Sequence, residues 1–293
     1  MHRKDFLRIL TLLPLANKIM DSSAFSKPLK NIALMPVLFV GHGNPMNAIE
    51  ENEFSKQWKT MGQTLPKPAA ILCISAHWET KGTRVTAMEH PQTIHDFGGF
   101  PQSLFDVQYP ALGSPYYASL AKENVHKTDI GLDKQWGLDH GCWSVLKNMY
   151  PEANIPVFQM SLDYTQSPQY HYDLGKELYS LRKQGVLIIG SGNMVHNLSQ
   201  IAWDKIQEPA FGYDWAIEAN DKMKKYILNR DHQNLINYTA QGSAFQLAIP
   251  SPDHYLPLLY ILALQGENEQ IQFFNDKPVM GSLTMTSVKI ENI

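Results

Sequence analysis

The hydrophobic residues of the chain are grouped in short continuous runs. Small residues and then a histidine follow each of three such runs. Residues 36–40, 70–74 and 186–189 are apolar throughout and rich in valine, isoleucine and leucine. Uninterrupted runs of this length are typical of strands that are buried on both faces. We therefore expect these segments in the middle of a sheet, with a late strand over residues 281–290.

Helical patterns occupy the segments between these runs. Leu174, Leu178 and Leu181 are spaced to lie on one helix face, and Gly185 follows as a stop signal. Helices are predicted over residues 52–61, 114–125, 171–184 and 213–229, and the apolar residues 256–262 predict a buried helix with His254 in its first turn. Strands alternating with helices indicate an α/β fold with three layers, α/β/α, around a central, largely parallel or mixed sheet.

The chain divides by composition into an N-terminal extension, residues 1–33, and a single domain, residues 34–293. Residues 21–31 are polar and contain Pro28, which is typical of a linker. The basic start and the apolar residues 9–16 resemble a degenerate export signal, although Arg8 interrupts it. An amphipathic helix or a flexible arm is the alternative. We expect a cytoplasmic protein, or a periplasmic one if residues 1–30 act as a signal.

The overall composition excludes several classes of protein. Hydrophobic residues make up 44% and charged residues 18% of the 293 residues, and the net charge is -3. This argues against disorder and against binding to nucleic acid or an anionic membrane surface. No apolar run approaches the roughly 20 residues that span a bilayer. The two cysteines, Cys73 and Cys142, are too few for a cysteine zinc cluster and are expected as buried free thiols. The oligomeric state stays open.

Histidines follow each of the three predicted central strands. His42 stands between two glycines after the first strand, His77 follows Ser75 and Ala76 after the second, and His196 comes shortly after the third. In open α/β sheets ligands bind beyond the carboxyl ends of the strands. The sequence therefore predicts that these three imidazoles meet at one edge of the sheet.

Further histidines have a weaker local context. His140 follows Asp139, which could fix its tautomer, and His254 precedes the last apolar helix. His95 lies in a segment with Phe97 and two glycines, which suggests a mobile lid or an aromatic substrate wall. Each of these histidines also fits a structural role in a turn, a core or a helix start. The remaining histidines are expected at the surface: His2, His90, His126, His171 and His232.

Known local motifs do not identify the chemistry. The chain has no His-Glu-x-x-His zinc helix, no phosphate-binding loop, no complete dinucleotide fingerprint and no Gly-x-Ser-x-Gly elbow. Imidazole binds zinc, copper, iron and nickel alike, so ligand type does not name the metal. A site of scattered histidines is the prediction that remains.

Six ordered segments resemble the class III extradiol ring-opening dioxygenases, in particular the 4,5-DOPA extradiol dioxygenase branch. The similarity runs from about Met35 to near the C-terminus and is carried by GHGNPM (41–46), SAHW (75–78), TIHDFGGFP (93–101), LDHGCW (138–143), GSGNMVHN (190–197) and PDHYLPL (252–258). Six segments in the same order are far more specific than any one motif. The resemblance implies an extradiol dioxygenase-like catalytic domain over residues 34–293.

The resemblance also implies a site. It makes His42, His77 and His254 metal ligands, and His196 either a fourth ligand or an acid/base residue. His140 would be a catalytic histidine beside the metal. In more distant ring-cleaving relatives a glutamate is the third ligand, whereas this chain has His254 there. A carboxylate is usual for non-haem Fe(II), and an all-histidine site also holds zinc well.

The implied reaction inserts both atoms of O₂ into a catechol such as DOPA, with Fe²⁺ or Zn²⁺ as the divalent metal. The catechol would chelate the metal, a neutral His196 or His140 would take a proton, and His95 and Phe97 would contact the substrate. Zinc has no accessible second oxidation state, so it does not supply a redox step. Two alternatives stay open: a zinc-dependent hydrolase that uses the same histidines, and a catalytically silent metal-binding protein.

Overall fold

A computed structural model describes residues 34–206 and 208–292. The predictions for residues 1–33, the N-terminal extension with His2, lie outside the described residues. The strands are β1 Val37–Gly41, β2 Ala70–Thr80, β3 Arg84–Thr86, β4 Gly131–Asp133, β5 Val157–Asp163, β6 Val186–Gly192, β7 Gln270–Phe274, β8 Pro278–Val279, β9 Leu283–Thr284 and β10 Ser287–Glu291.

Eight of these strands form one mixed sheet. Its order is β4-β3-β5-β2-β6-β1-β10-β7, and β8 pairs with β9 apart from it. The four central strands β5, β2, β6 and β1 run parallel to one another. The antiparallel pairs join β3 to β5, β10 to β1 and β7 to β10. Strands β1, β5 and β6 and the first part of β2 are buried, as continuous apolar runs predict.

Helices cover both faces of the sheet. They are α1 Glu53–Thr64, α2 Gln102–Phe105, α3 Pro115–Asn124, α4 His140–Met149, α5 Pro168–Glu177, α6 Tyr179–Arg182, α7 Asp214–Leu228, α8 His232–Ile236, α9 Ser243–Ala248 and α10 Leu256–Ala263. Alternate residues of β1 and β2 enter two separate cores, one shared with α5, α7 and α10 and the other with α1 and α4. The predicted three-layer α/β/α fold is confirmed.

Side-chain caps explain where the helices begin. Asn52 accepts from the backbone of Phe54 and Ser55, and Ser55 accepts in return from the Asn52 backbone, so α1 has a capping box. Ser114 caps α3, and Asp139 caps α4 through the backbone N–H of Cys142. Each cap satisfies N–H groups that a helix leaves free at its first turn. The cap at Asp139 fixes His140 as the first residue of α4.

The structure differs from the predicted elements in several places, and it contains further short elements as well as the helix α4 that were not predicted. β5 was not predicted, because Gln159 and Ser161 interrupt its apolar pattern, yet both are fully buried. The helix predicted over residues 171–184 is divided at Leu178 into α5 and α6. The predicted tail strand is divided into β9 and β10, which belong to different sheets. His254 lies in a turn just before α10 rather than in its first turn.

The surface position predicted for His171 is wrong. Its side chain is fully buried in α5, and its Nδ1 lies 3.0 Å from the hydroxyl of Tyr260. The apolar neighbours of α10 shield it from water, and this burial lowers the pKa of His171 to about 4. His90 and His126 are exposed as predicted, and His232 is partly buried. Cys73 and Cys142 are buried free thiols, as expected.

The strand register brings three segments together at one edge of the sheet. Gly41 pairs with Gly192, and Ser75 pairs with Ser191, so the carboxyl ends of β1, β2 and β6 are adjacent. This is the edge where ligands bind in open α/β sheets. No helix within the described residues is long and apolar enough to cross a bilayer.

Candidate active site

Five histidines line a single cavity of about 600 Å³ at this edge: His42, His77, His140, His196 and His254. Sequence analysis selected all five. His42 follows β1 directly, whereas His77 lies inside β2, next to an irregularity in its pairing with β5. His140 begins α4, and His254 lies in the turn before α10. Elements far apart in the sequence therefore deliver the imidazoles to one place.

Three of the rings form a nearly equilateral triangle. The ring centroids of His42 and His77 are 5.0 Å apart, those of His42 and His254 are 5.3 Å apart, and those of His77 and His254 are 4.9 Å apart. Imidazoles on one side of a metal ion have this spacing when each binds through one nitrogen at roughly 2.1 Å. The triangle leaves the cavity side open.

Ser191 determines which nitrogen of His42 faces the centre. The Ser191 hydroxyl donates to the carbonyl of Gly141 at 2.5 Å and lies 3.0 Å from His42 Nδ1. Since the hydroxyl proton is already used, Ser191 accepts from Nδ1, and Nε2 of a neutral His42 is left as a lone pair. A hydrogen bond behind the ring is the usual way to orient a metal-binding histidine.

Asp96 orients two histidines at once. Its Oδ2 lies 2.9 Å from His140 Nδ1 and 3.3 Å from His77 Nδ1, and its Oδ1 accepts from the His140 backbone at 2.8 Å. Burial alone raises the pKa of Asp96, but the hydrogen bond and charge of His140 outweigh it and lower the pKa. The carboxylate is therefore ionised at neutral pH, and both rings present Nε2 to the cavity.

His254 is held in a similar way by its neighbour. Its Nδ1 bonds the carboxylate of Asp253, whose pKa this contact lowers despite burial. The backbone around His254 packs directly on β6, because a Cβ at Gly192 would lie 2.1 Å from the His254 carbonyl oxygen. Only glycine at residue 192 allows this approach. The third corner of the triangle is thus fixed by a side chain and by the backbone.

The nitrogen geometry fits a metal ion. His42 Nε2 and His77 Nε2 are 3.1 Å apart, and two ligands at roughly 2.1 Å from one ion are roughly 3.0–3.4 Å apart. Nδ1 of each ring donates to an acceptor, so Nε2 of each ring carries a lone pair. These two lone pairs face each other, which is unfavourable unless a cation lies between them. Burial and the neighbouring histidines lower the pKa of His42 and of His77, so both rings are neutral at pH 7.

His196 is arranged differently. Its ring stacks on His254 with centroids 3.5 Å apart and an angle of 6° between the planes. One ligand atom each of His196, Asp253 and His254 lie within 4.8 Å of one another, so His196 is close enough to His254 to serve either as a further ligand or as a base beside the metal. Burial and the charge of His254 lower the pKa of His196 to about 3, so its ring is neutral.

The two predicted substrate contacts lie behind the cavity. Neither His95 nor Phe97 is among the described residues that line it. His95 Nε2 lies 2.9 Å from the carbonyl oxygen of Val107, and the edge of Phe97 packs on His140 with centroids 5.5 Å apart. The neighbouring Gly98 and Phe100 do line the cavity. Residues 93–101 therefore form a wall of the site, but Gly98 and Phe100 face the cavity instead of His95 and Phe97.

The groups that orient the histidines were not predicted from the sequence: Asp96, Ser191 and Asp253. The two carboxylates are adjacent to histidines that were predicted in the site, since Asp96 follows His95 and Asp253 precedes His254. A carboxylate beside a predicted ligand is a usable signal, because metal-binding histidines commonly donate to one. Ser191 gave no such signal, because its partners Gly141 and His42 are distant in the sequence.

Known proteins similar in sequence show the family to which the chain belongs. Residues 36–285 match the family model described as the catalytic LigB subunit of aromatic ring-opening dioxygenase. The chain is 45% identical over 260 residues to a 4,5-DOPA dioxygenase extradiol of Escherichia coli (strain K12), which covers 87% of this chain and 94% of that protein. It is 34% identical over 259 residues to the protein of that name from Beta vulgaris, covering 86% and 94%.

A solved structure has the same fold. The crystal structure of an uncharacterized protein from Escherichia coli K12 superposes with a TM-score of 0.76 at 40% identity, and the match covers 88% of this chain and all of the other. These relatives do not favour a hydrolase that uses the same histidines. The chain belongs to the family of the catalytic LigB subunit, the extradiol aromatic ring-opening dioxygenases.

Proposed function

We propose that the protein opens the ring of a catechol beside the two hydroxyls, with DOPA or a related catechol as substrate and both atoms of O₂ entering the product. The observation that carries the proposal is the open triangle of His42, His77 and His254 at the floor of an otherwise apolar cavity. The names of the relatives support DOPA as the first catechol to test.

His42, His77 and His254 would hold the divalent metal, each through Nε2. When bound, the metal supplies a site where the catechol oxygens and O₂ meet and exchange charge, which requires Fe²⁺ rather than zinc because zinc has no accessible second oxidation state. Three neutral imidazoles would place no negative charge directly on such an ion. A catecholate is the anion that restores the balance, so the ligand set itself favours binding of a deprotonated substrate.

His196 and His140 are placed to handle protons. The His196 ring is neutral, faces the cavity and has no side-chain partner at its nitrogens among the described residues. It can accept a catechol proton as the substrate binds. His140 donates to Asp96 through Nδ1, so its Nε2 is a second acceptor on the opposite side of His77. We assign His196 as the base and His140 as the residue that orients or protonates the product.

The walls of the cavity serve the reaction by excluding water. Phe97 holds His140 in place from behind, and His95 in turn packs against Phe97 with centroids 5.8 Å apart. Phe100 and Leu283 cover the cavity beside the histidines. A dry site strengthens the interactions among the charged groups within it.

The test is anaerobic reconstitution of the metal-free protein with Fe²⁺ or with Zn²⁺, followed by DOPA and air. Oxygen uptake and a yellow semialdehyde product with iron alone are the expected result. His42→Ala should abolish both metal retention and uptake, whereas His126→Ala, which removes an exposed histidine, should change neither. Absence of uptake with either metal across several catechols would refute the proposal, and ester hydrolysis by the zinc form would support the hydrolase instead.

A further inference from the structure

The cavity has a polar floor and an apolar mouth. His42 and His254 are 2% and 8% exposed, whereas Leu198 and Trp203, which line the same cavity, are 59% and 69% exposed. The apolar residues of the mouth are Leu198, Ile201, Trp203, Ile206, Phe100 and Met280. Large apolar side chains that remain exposed beside a binding cavity mark a surface for a ligand.

Backbone hydrogen bonds hold the segment that forms the mouth of the cavity. Most of its residues belong to residues 198–206, directly after His196, and this segment is hydrogen-bonded to the turn around Met280. Ala202 donates to the Met280 carbonyl at 2.9 Å, and Asn197 donates to the Ser282 carbonyl at 3.1 Å. Met280 itself has φ 54°, a left-handed conformation that is uncommon for a residue with a side chain. Such conformations persist where the surrounding structure holds them, often at binding sites.

The described residues of the lining provide no partner of opposite charge for a charged substituent. Among the described residues that line the cavity, none is a lysine, arginine, aspartate or glutamate. Lys205, in the same segment, is paired with Glu208, and the side-chain oxygen of Asn44 already accepts from the Met46 backbone. Placing the ammonium and carboxylate of an amino acid against such a wall removes water from them without giving a paired charge in return.

We propose that the preferred substrates are catechols that carry an uncharged apolar substituent, with the ring at the histidines and the substituent along Leu198, Ile201 and Trp203. This inference rests on the proposed function and deepens it. Burial of apolar surface changes affinity about fourfold per methylene group. A three-carbon alkyl group therefore favours binding by a factor of tens over a substituent that stays in water, whereas DOPA gains nothing from the wall.

The first experiment compares catechols that differ only in the substituent at the 4-position. The probes are 4-methylcatechol, 4-propylcatechol, 3-(3,4-dihydroxyphenyl)propionate and DOPA, with kcat/KM from oxygen uptake by the iron form. Binding of the same probes to the zinc form, which does not turn over, is measured by calorimetry. The propyl compound should exceed DOPA at least tenfold in both measurements. Equal values, or a preference for DOPA, would overturn the inference.

Variants of the wall provide the second experiment. Leu198→Ala should lower kcat/KM for 4-propylcatechol about fivefold relative to kcat/KM for 4-methylcatechol. Leu228→Ala is the matched control, since Leu228 is also 59% exposed but lies at the end of α7 away from the cavity. Leu198→Arg should shift the preference toward the propionate. If neither Leu198 variant changes the order of substrates, the wall does not contact the substituent and the inference is wrong.

The two proposals fail in different ways. If no catechol is opened by the iron form, including 4-methylcatechol, the proposed function is wrong, while calorimetry still shows whether apolar catechols bind better. If all catechols are opened equally well, the proposed function stands and the inference about the substituent is overturned.

Discussion

Asp96→Asn is the substitution that tests the architecture of the site most directly. The Asp96 carboxylate contacts His77 and His140 together, through a single oxygen 3.3 Å and 2.9 Å from their Nδ1 atoms. Asparagine has nearly the same size but carries no charge, and one of its two polar ends is a donor. If the amide oxygen faces the two rings, its NH2 group faces the His140 backbone N–H, which needs an acceptor; if the amide is reversed, the NH2 group faces both Nδ1 atoms. In either orientation at least one donor that holds the histidines in place loses its acceptor.

The size of the effect follows from the role of such partners. Removing the group behind a metal-binding histidine costs about 10–100-fold in metal affinity, which corresponds to about 1.4–2.8 kcal/mol of binding free energy. The carboxylate is ionised at neutral pH, because the contact with His140 lowers its pKa. Asp96→Asn therefore also removes a negative charge close to the cation site, which places the expected loss toward the upper end of the range.

The assay is competition for zinc between the protein and a chromophoric chelator, with folding checked by circular dichroism. Asp173→Asn is the control for net charge, since Asp173 lies in α5, where it pairs with Lys127 and Lys176. Weaker metal binding in Asp96→Asn alone is the expected outcome. Metal affinity within twofold of the parent in a folded Asp96→Asn protein would show that His77 and His140 are oriented without the carboxylate.

Three other substitutions test parts of the fold. Gly192→Ala should displace the backbone at His254, because the added Cβ meets its carbonyl oxygen at 2.1 Å, and metal content measured by mass spectrometry should fall at least tenfold. Glu269→Ala should destabilise the protein by about 3–5 kcal/mol in urea unfolding, because it leaves the buried Arg182 guanidinium unpaired. His171 has a pKa of about 4 in the folded protein and about 6.5 when unfolded. The unfolded chain therefore binds the extra proton, and stability is lost as the pH falls from 6.5 to 4, by up to about 3 kcal/mol. His171→Gln should remove that part of the acid sensitivity, and equal pH slopes for both proteins would contradict the assignment.

Much of the architecture could be predicted from the sequence because it depends on local patterns. Strands buried on both faces are necessarily apolar at consecutive positions, so β1, β2 and β6 were recognisable. Helix starts depend on a single capping side chain, as at Asn52 and Ser114. β5 was not recognisable, since its buried Gln159 and Ser161 bond other buried groups, including the Asp139 carboxylate and the Thr80 hydroxyl, that are distant in the sequence.

The set of cavity histidines could also be predicted, for a topological reason. Parallel strands bring their carboxyl ends to one edge of the sheet, so a histidine after each strand is brought to a common place. That reasoning selects His42, His77 and His196, and the resemblance to a family adds His140 and His254. Neither the topology nor the resemblance determines which ring nitrogen faces the cavity, and neither indicates that His171 is buried.

The tertiary structure alone decided how these side chains act. The orientation of an imidazole depends on the acceptor behind it, and for His42 and His77 that acceptor lies 149 and 19 residues away, at Ser191 and Asp96. Packing also places His196 flat on His254, and the Nε2 of His95 lies beside the carbonyl oxygen of Val107. Sequence determines which residues arrive at the sheet edge, because strand direction is a local property. The partners that fix each ring come from other strands and helices, so only packing determines whether a histidine binds a metal, accepts a proton or supports the wall.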